Sequence, residues 1–193
     1  MTESKDNQNP QYFMPEIYKQ WHKRGFLSVR YWPHAEKVQV EIGTIDPNSY
    51  KTLSVSKCFI GAYEFLTYTH AETYNQIDRI FPDFATKDWQ VFRGNVGEDG
   101  PISRVFTAGY WKPNKDAAPD PTRRSFRCAN YVGKPTNSGA MMPIYDKPIS
   151  FNMIQMTFAQ IAELHHRLNV FVNAYALQKT DLVDIYESNS DHG

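Results

Sequence analysis

The residues best suited to chemistry lie between Ile102 and Lys134, in the stretch ISRVFTAGYWKPNKDAAPDPTRRSFRCANYVGK. Arg104, Lys112, Lys115, Arg123, Arg124, Arg127 and Lys134 are set there against only Asp116 and Asp120, and Phe106, Tyr110, Trp111, Phe126 and Tyr131 are interleaved with them. That mixture suits an unpaired nucleic-acid strand. Cations neutralise phosphates and release counterions, while flat rings stack on exposed bases of any identity, each stacked base contributing ~1–3 kcal/mol. The stretch GFLSVRYW at 25–32 repeats the mixture, with Arg30 and Trp32 on the same strand face as Phe26 and with Leu27, Val29 and Tyr31 opposite. These thirteen aromatic and basic residues, Arg30 and Trp32 with all of those named in 102–134 except Lys134, are the candidate strand contacts. Read structurally, the same pattern is a solvated sheet face whose Lys and Arg stems cover aromatic rings.

Catalytic signatures are thin. The chain has no P-loop, GxGxxG, GxSxG or HExxH pattern. His165 and His166 are adjacent, so on a helix they point about 100° apart and cannot share a metal as an i,i+4 pair does. Cys58 lies at an apolar junction without an evident base, although His70 follows it, and Asp78, Asp83 and Asp88 form no compact carboxylate cluster. No enzyme activity, cofactor or metal is expected.

The elements that must hold these residues follow from periodicity. Residues 1–14 form a polar arm, and PEIYKQWHK at 15–23 predicts a short helix with Pro15 in its first turn. Period-two alternation predicts a hairpin from 25–32 and 38–43, then a strand over 51–57. Helical spacing follows over 58–81 and ends at Pro82. Further strands are expected over 89–96, 102–111, 125–133 and 148–154, with a shorter one near 140–145. The Pro-rich segment 112–123 reads as a long mobile hairpin loop. Phe158, Ile161, Leu164, Leu168 and Phe171 define a helix over 156–177. The two halves resemble each other at an offset of 96, with Leu53 and Val55 matching Ile149 and Phe151, and His70 matching His166. The fold expected is α+β, mainly antiparallel sheets with two long amphipathic helices. It comprises one domain over 15–180, with candidate repeats at 25–82 and 88–178, and an OB-like barrel with appended helices is the alternative.

The whole chain has 193 residues, 41% hydrophobic and 15% aromatic, with 21 basic and 21 acidic residues. The zero net charge is sorted along the chain. Residues 181–193 hold Asp181, Asp184, Glu187 and Asp191 without a single Lys or Arg, so the body is basic and the end is an acidic tail. No apolar run reaches membrane-spanning length, and the polar N-terminus predicts no secretory signal. Cys58 and Cys128 lie far apart and form no CxxC pair, which suits a reducing, cytoplasmic setting.

By strand-and-helix order over 25–178, the chain resembles the Whirly and Pur-type single-stranded-DNA-binding proteins, whose repeated sheet-plus-helix units bind single strands. By residues 102–134 and the tail, it is similar to phage- and plasmid-encoded single-strand binders. The tail departs from theirs, ending Asp191-His192-Gly193 without a terminal apolar residue. These resemblances imply a non-enzymatic, sequence-nonspecific single-stranded-DNA-binding protein of phage or mobile-element type. It would act in replication or recombination as a homo-oligomer, with partner proteins recruited by the tail. An RNA-binding protein, or an oligomeric assembly protein indifferent to nucleic acid, is the alternative.

Overall fold

Alternation of apolar and polar residues makes the first strands. The computed structural model describes residues 14–97, 100–114, 116–137 and 139–190, with side chains along the last helix through Leu177. Strand β2 (Gly25–Trp32) buries Leu27, Val29 and Tyr31, and β3 (Lys37–Ile45) buries Val38, Val40 and Ile42. A 3-10 turn at Pro33–Ala35 joins them, with Glu36 in the left-handed region at φ 50°. Strand β4 (Thr52–Gly61) pairs with β3, so Cys58 sits opposite Val40 and Ile60 opposite Val38. The helical pattern predicted from residue 58 therefore begins later, as α1 (Ala62–Thr73). Asn75, at φ 54°, ends it before the short α2 (Ile77–Ile80).

Residues 15–23 are not a helix. They contain β1 (Glu16–His22), antiparallel to β2. Local capping by Pro15 is outweighed by tertiary pairing: the edge of β2 offers a hydrogen-bond ladder, and a register irregularity after Glu16 lets both Ile17 and Tyr18 be buried. The Pro15 carbonyl itself accepts from Tyr31 N–H at 3.0 Å.

The second half repeats the plan. Strands β5 (Trp89–Gly97), β6 (Gly100–Trp111), β7 (Asp120–Pro135) and β8 (Met141–Thr157) lead into α3 (Phe158–Ser190). The predicted loop at 112–123 ends sooner, because Arg123 and Arg124 lie in β7 opposite Thr157 and Met156. The two short strands expected near 140–154 are one long strand. Helix α3 continues through 181–190, where composition suggests a tail. The arm at 1–13 and residues 191–193 lie outside the described residues.

The sheets have the orders β1-β2-β3-β4 and β5-β6-β7-β8 and are entirely antiparallel. The arrangement is α+β as expected, but the sheets are open and no barrel closes. Register makes the two units superimposable in plan. Val29 pairs with Val40 and Val40 with Cys58; Ala108 pairs with Phe126 and Phe126 with Ile154, which is Cys58 moved by 96. Tyr31-Trp32 and Tyr110-Trp111 thereby occupy matching strand ends.

The units interlock through one core. Phe65 and Tyr68 of α1 lie on rings of the second sheet: Phe65 meets Phe106 edge-on at 5.7 Å, and Tyr68 stacks on Trp89 at 4.5 Å. In the reverse direction, Tyr175 of α3 meets Tyr31 of the first sheet at 6.0 Å. Such ring pairs add ~0.5–1.5 kcal/mol each beyond area burial. A polar seam joins β4 to β8. Asn152 Nδ2 donates to Ser56 Oγ at 2.9 Å, Ser54 Oγ donates to Asn152 Oδ1 at 2.7 Å, and Ser56 and Ser150 hydroxyls bond at 2.8 Å. Ser56 and Asn152 are 96 apart, as are Thr69 and His165, whose Oγ1 and Nδ1 lie 3.2 Å apart between α1 and α3. Residues one repeat apart therefore face each other across a pseudo-two-fold axis.

Candidate nucleic-acid interface

Strand alternation sends every second residue to the face away from the helices. On the first sheet, one cross-strand row on that outer face is Lys19, Ser28, Glu41 and Lys57, and the next is Trp21, Phe26, Gly43 and Val55. Trp21 tilts against Phe26 at 5.3 Å with the Lys19 ammonium 5.0 Å above its ring, and Trp32 tilts against Phe59 at 6.0 Å. Charge on this face is largely paired within it. Lys57 meets Glu41 at 3.0 Å, while Glu16 takes Lys19 at 3.5 Å and Arg30 at 4.0 Å.

On the second sheet the outer rows are Gln90, Thr107, Arg127 and Met153, then Phe92, Val105, Ala129 and Phe151. Arg127 is ion-paired with Asp88, and Asp88 rests on Gly109, where an added Cβ would collide with its carboxylate. Gly109 is thus a close-approach glycine. Beside this pair opens a cleft of about 520 Å³, between the 84–88 loop and the segment after β6. Trp111, Lys112 and Pro113 form one wall, Phe84 and Thr86 another, and Ser125, Arg127 and Met153 the floor. An aromatic wall over mixed donors and acceptors, open to solvent, can take a planar heterocycle.

The candidate contacts divide sharply. Arg30 and Trp32 lie on the outer face of the first sheet. Trp111, Arg123, Arg127 and Tyr131 lie on that of the second, with Lys112 exposed beside the cleft. Phe106 and Phe126 are wholly buried and pack on each other at 5.4 Å, so neither is available to a base. Arg124 is 3% exposed; its Nε donates to Glu72 Oε1 at 2.6 Å, and its guanidinium lies 4.3 Å from the Tyr110 ring. Tyr110 is half-buried against that guanidinium and also lines the cleft, and Arg104 bonds Asn95 in the preceding strand. Lys115 lies outside the described residues. Trp21, Phe59, Lys57 and Asp88 join the surface although composition does not mark them as contacts. Alternation within 16–22 exposes Trp21 once that stretch is read as a strand.

Both cysteines and His165 are buried. Cys58 and Cys128 are free and buried; burial pushes the Cys58 thiol up to about 12 and Cys128 well above its usual range. His165 is held below its ordinary value, first by burial and then by His70 and His166. Among the described residues no cluster of His, Cys, Asp or Glu is placed to hold a metal, and no helix is long and apolar enough to cross a membrane.

No protein-family model matches the chain, and no curated protein sequence matches it.

Proposed function

We propose that this protein binds single-stranded DNA, non-enzymatically and with little sequence preference, along the outer faces of its sheets. The observation that carries the reading is the cleft end of the second sheet, where Trp111, Lys112 and Arg127 line an open surface and Arg123 lies outward on the same sheet face, the two arginines paired with Asp88 and Asp120. Phosphates meet the cations and bases stack on the ring. Trp32, at the strand end matching Trp111, and Arg30 near it give the first sheet a second platform. Such a protein serves replication or recombination in a phage or mobile element, in a cytoplasmic compartment where the two buried thiols stay reduced, and as a homo-oligomer.

Titration of fluorescent oligo-dT at two salt concentrations tests this. Binding at low salt that weakens steeply as salt rises supports the reading; absence of binding at low salt overturns it. Trp111→Ala should weaken binding roughly tenfold, the loss of one stacked base, and Arg123→Ala should reduce the salt slope by about one phosphate. Oligo-U in competition separates DNA from RNA through the 2′-hydroxyl.

A second reading has its own observation. Leu53, Ile149, Phe151 and Met153 are exposed apolar residues on β4 and β8, the first two at matching positions of the two units. Exposed apolar groups of this kind mark protein interfaces. A stable oligomer indifferent to oligo-dT at every salt concentration is the outcome that favours an assembly protein.

A further inference from the structure

Phosphate contacts and ring stacking are blind to base identity, yet the cleft beside Trp111 contains more than a ring and cations. Asp88 lines it, a carboxylate on a surface where a strand of phosphates would otherwise repel one. Arg127 holds Asp88 there by an ion pair, and the bare Cα of Gly109 makes room for its carboxylate against the sheet. Asp88 remains 38% exposed and Arg127 29%, so both reach the cleft. The Arg127 Nε–H is buried and has no acceptor among the described residues.

A carboxylate accepts two parallel hydrogen bonds when two N–H groups are presented side by side. On its pairing edge, guanine presents N1–H beside the N2 amino group. Thymine presents one N–H between two carbonyls, and adenine and cytosine each set an amino group beside a ring-nitrogen acceptor. Those three edges all place an acceptor against the carboxylate, and guanine does not. The guanine O6, next to N1–H, also supplies an acceptor for a guanidinium flanking the carboxylate. At about 520 Å³ the cleft is large enough for a purine.

We propose that this cleft is a guanine-preferring pocket, in which Asp88 accepts from N1–H and N2–H, Arg127 donates toward O6, and Trp111 stacks on the ring. It rests on the strand-binding reading and adds base selection at a single nucleotide. The rest of the bound strand stays sequence-tolerant.

The test compares oligo-dT with the same oligonucleotide carrying one central dG, dA, dC or deoxyinosine, by fluorescence anisotropy with the intact protein. The dG oligonucleotide should bind at least about fivefold more tightly than oligo-dT, as two hydrogen bonds to a charged acceptor imply. Deoxyinosine, which lacks only the N2 amino group, should lose a large part of that gain. Asp88→Asn and Gly109→Ala should each erase the dG preference, the second by driving the carboxylate off the sheet. Equal affinity for dT, dG and deoxyinosine oligonucleotides overturns the pocket and leaves strand binding standing. Absence of binding to any of them at low salt overturns strand binding itself. Because the deoxyinosine comparison uses the unaltered chain, it decides the question even where either variant misfolds.

Discussion

Arg124 and Arg123 are sequence neighbours with opposite fates. Strand alternation points Arg123 outward, 3.6 Å from Asp120, and drives Arg124 inward to Glu72 under the Tyr110 and Phe158 rings. Removing one partner of a buried ion pair leaves the other charge uncompensated. Glu72→Ala should therefore cost about 3–5 kcal/mol in urea unfolding, whereas Arg123→Ala should leave stability nearly unchanged. His165 makes a second residue-level prediction. Thr69 and His70 of α1 and Tyr74 at its C-terminal cap face it, and His166 follows it in α3. Its folded pKa lies below 6.5, so the unfolded chain binds more protons. Stability is then full above the unfolded value and falls as pH drops below it toward the folded value. Melting temperature measured between pH 8 and 5 should decline on the acid side, and His165→Asn should flatten part of that decline. The thiols give a third. With Cys58 raised to about 12 by burial, neither cysteine should react with a disulfide reagent at neutral pH until denaturant is added.

At the scale of elements, period two is a reliable guide where one strand face is apolar. All of β2 and the middle of β3 follow directly from Leu27, Val29 and Tyr31 against Val38, Val40 and Ile42. Residues 16–22 read as helix because Pro15 is a local helix signal, and the deciding term, an open edge on β2, is nowhere in the local sequence. The start of α1 is placed early for a related reason. Cys58 and Ile60 fit a helical face as well as a strand face, and only pairing with β3 decides between them. The candidate site is half legible. Composition marks the aromatic and basic stretch, but burial of Phe106, Arg124 and Phe126 depends on which face meets α1, a helix of the other half, while Tyr110 lines the cleft half-buried. Asp88 carries no such mark, since its importance lies in the neighbours Gly109 and Arg127. One further signal is present in the sequence: the Tyr-Trp pair at 31–32 and again at 110–111 marks the matching ends of β2 and β6. Phe65→Ala should cost about 3–5 kcal/mol, because its ring joins α1 to three rings of the second sheet. Urea unfolding measures it.

The whole molecule is two units that complete each other. Helix α1 supplies rings to the second sheet and α3 supplies Tyr175 to the first, so neither sheet has its full cover from its own half. Unfolding should consequently be one cooperative transition, with tryptophan fluorescence and far-ultraviolet circular dichroism changing together in urea. Two separated transitions would show units that stand alone. The pseudo-two-fold axis has a further consequence. In a dimer of identical chains, a residue on the axis meets its own copy, so a donor confronts a donor and compromise is forced. A single chain escapes that restriction. Here serine faces asparagine and threonine faces histidine, unlike partners with complementary lone pairs and protons. Joining the halves in one polypeptide thus frees the axis to carry directional chemistry, and lets one platform specialise while its counterpart does not.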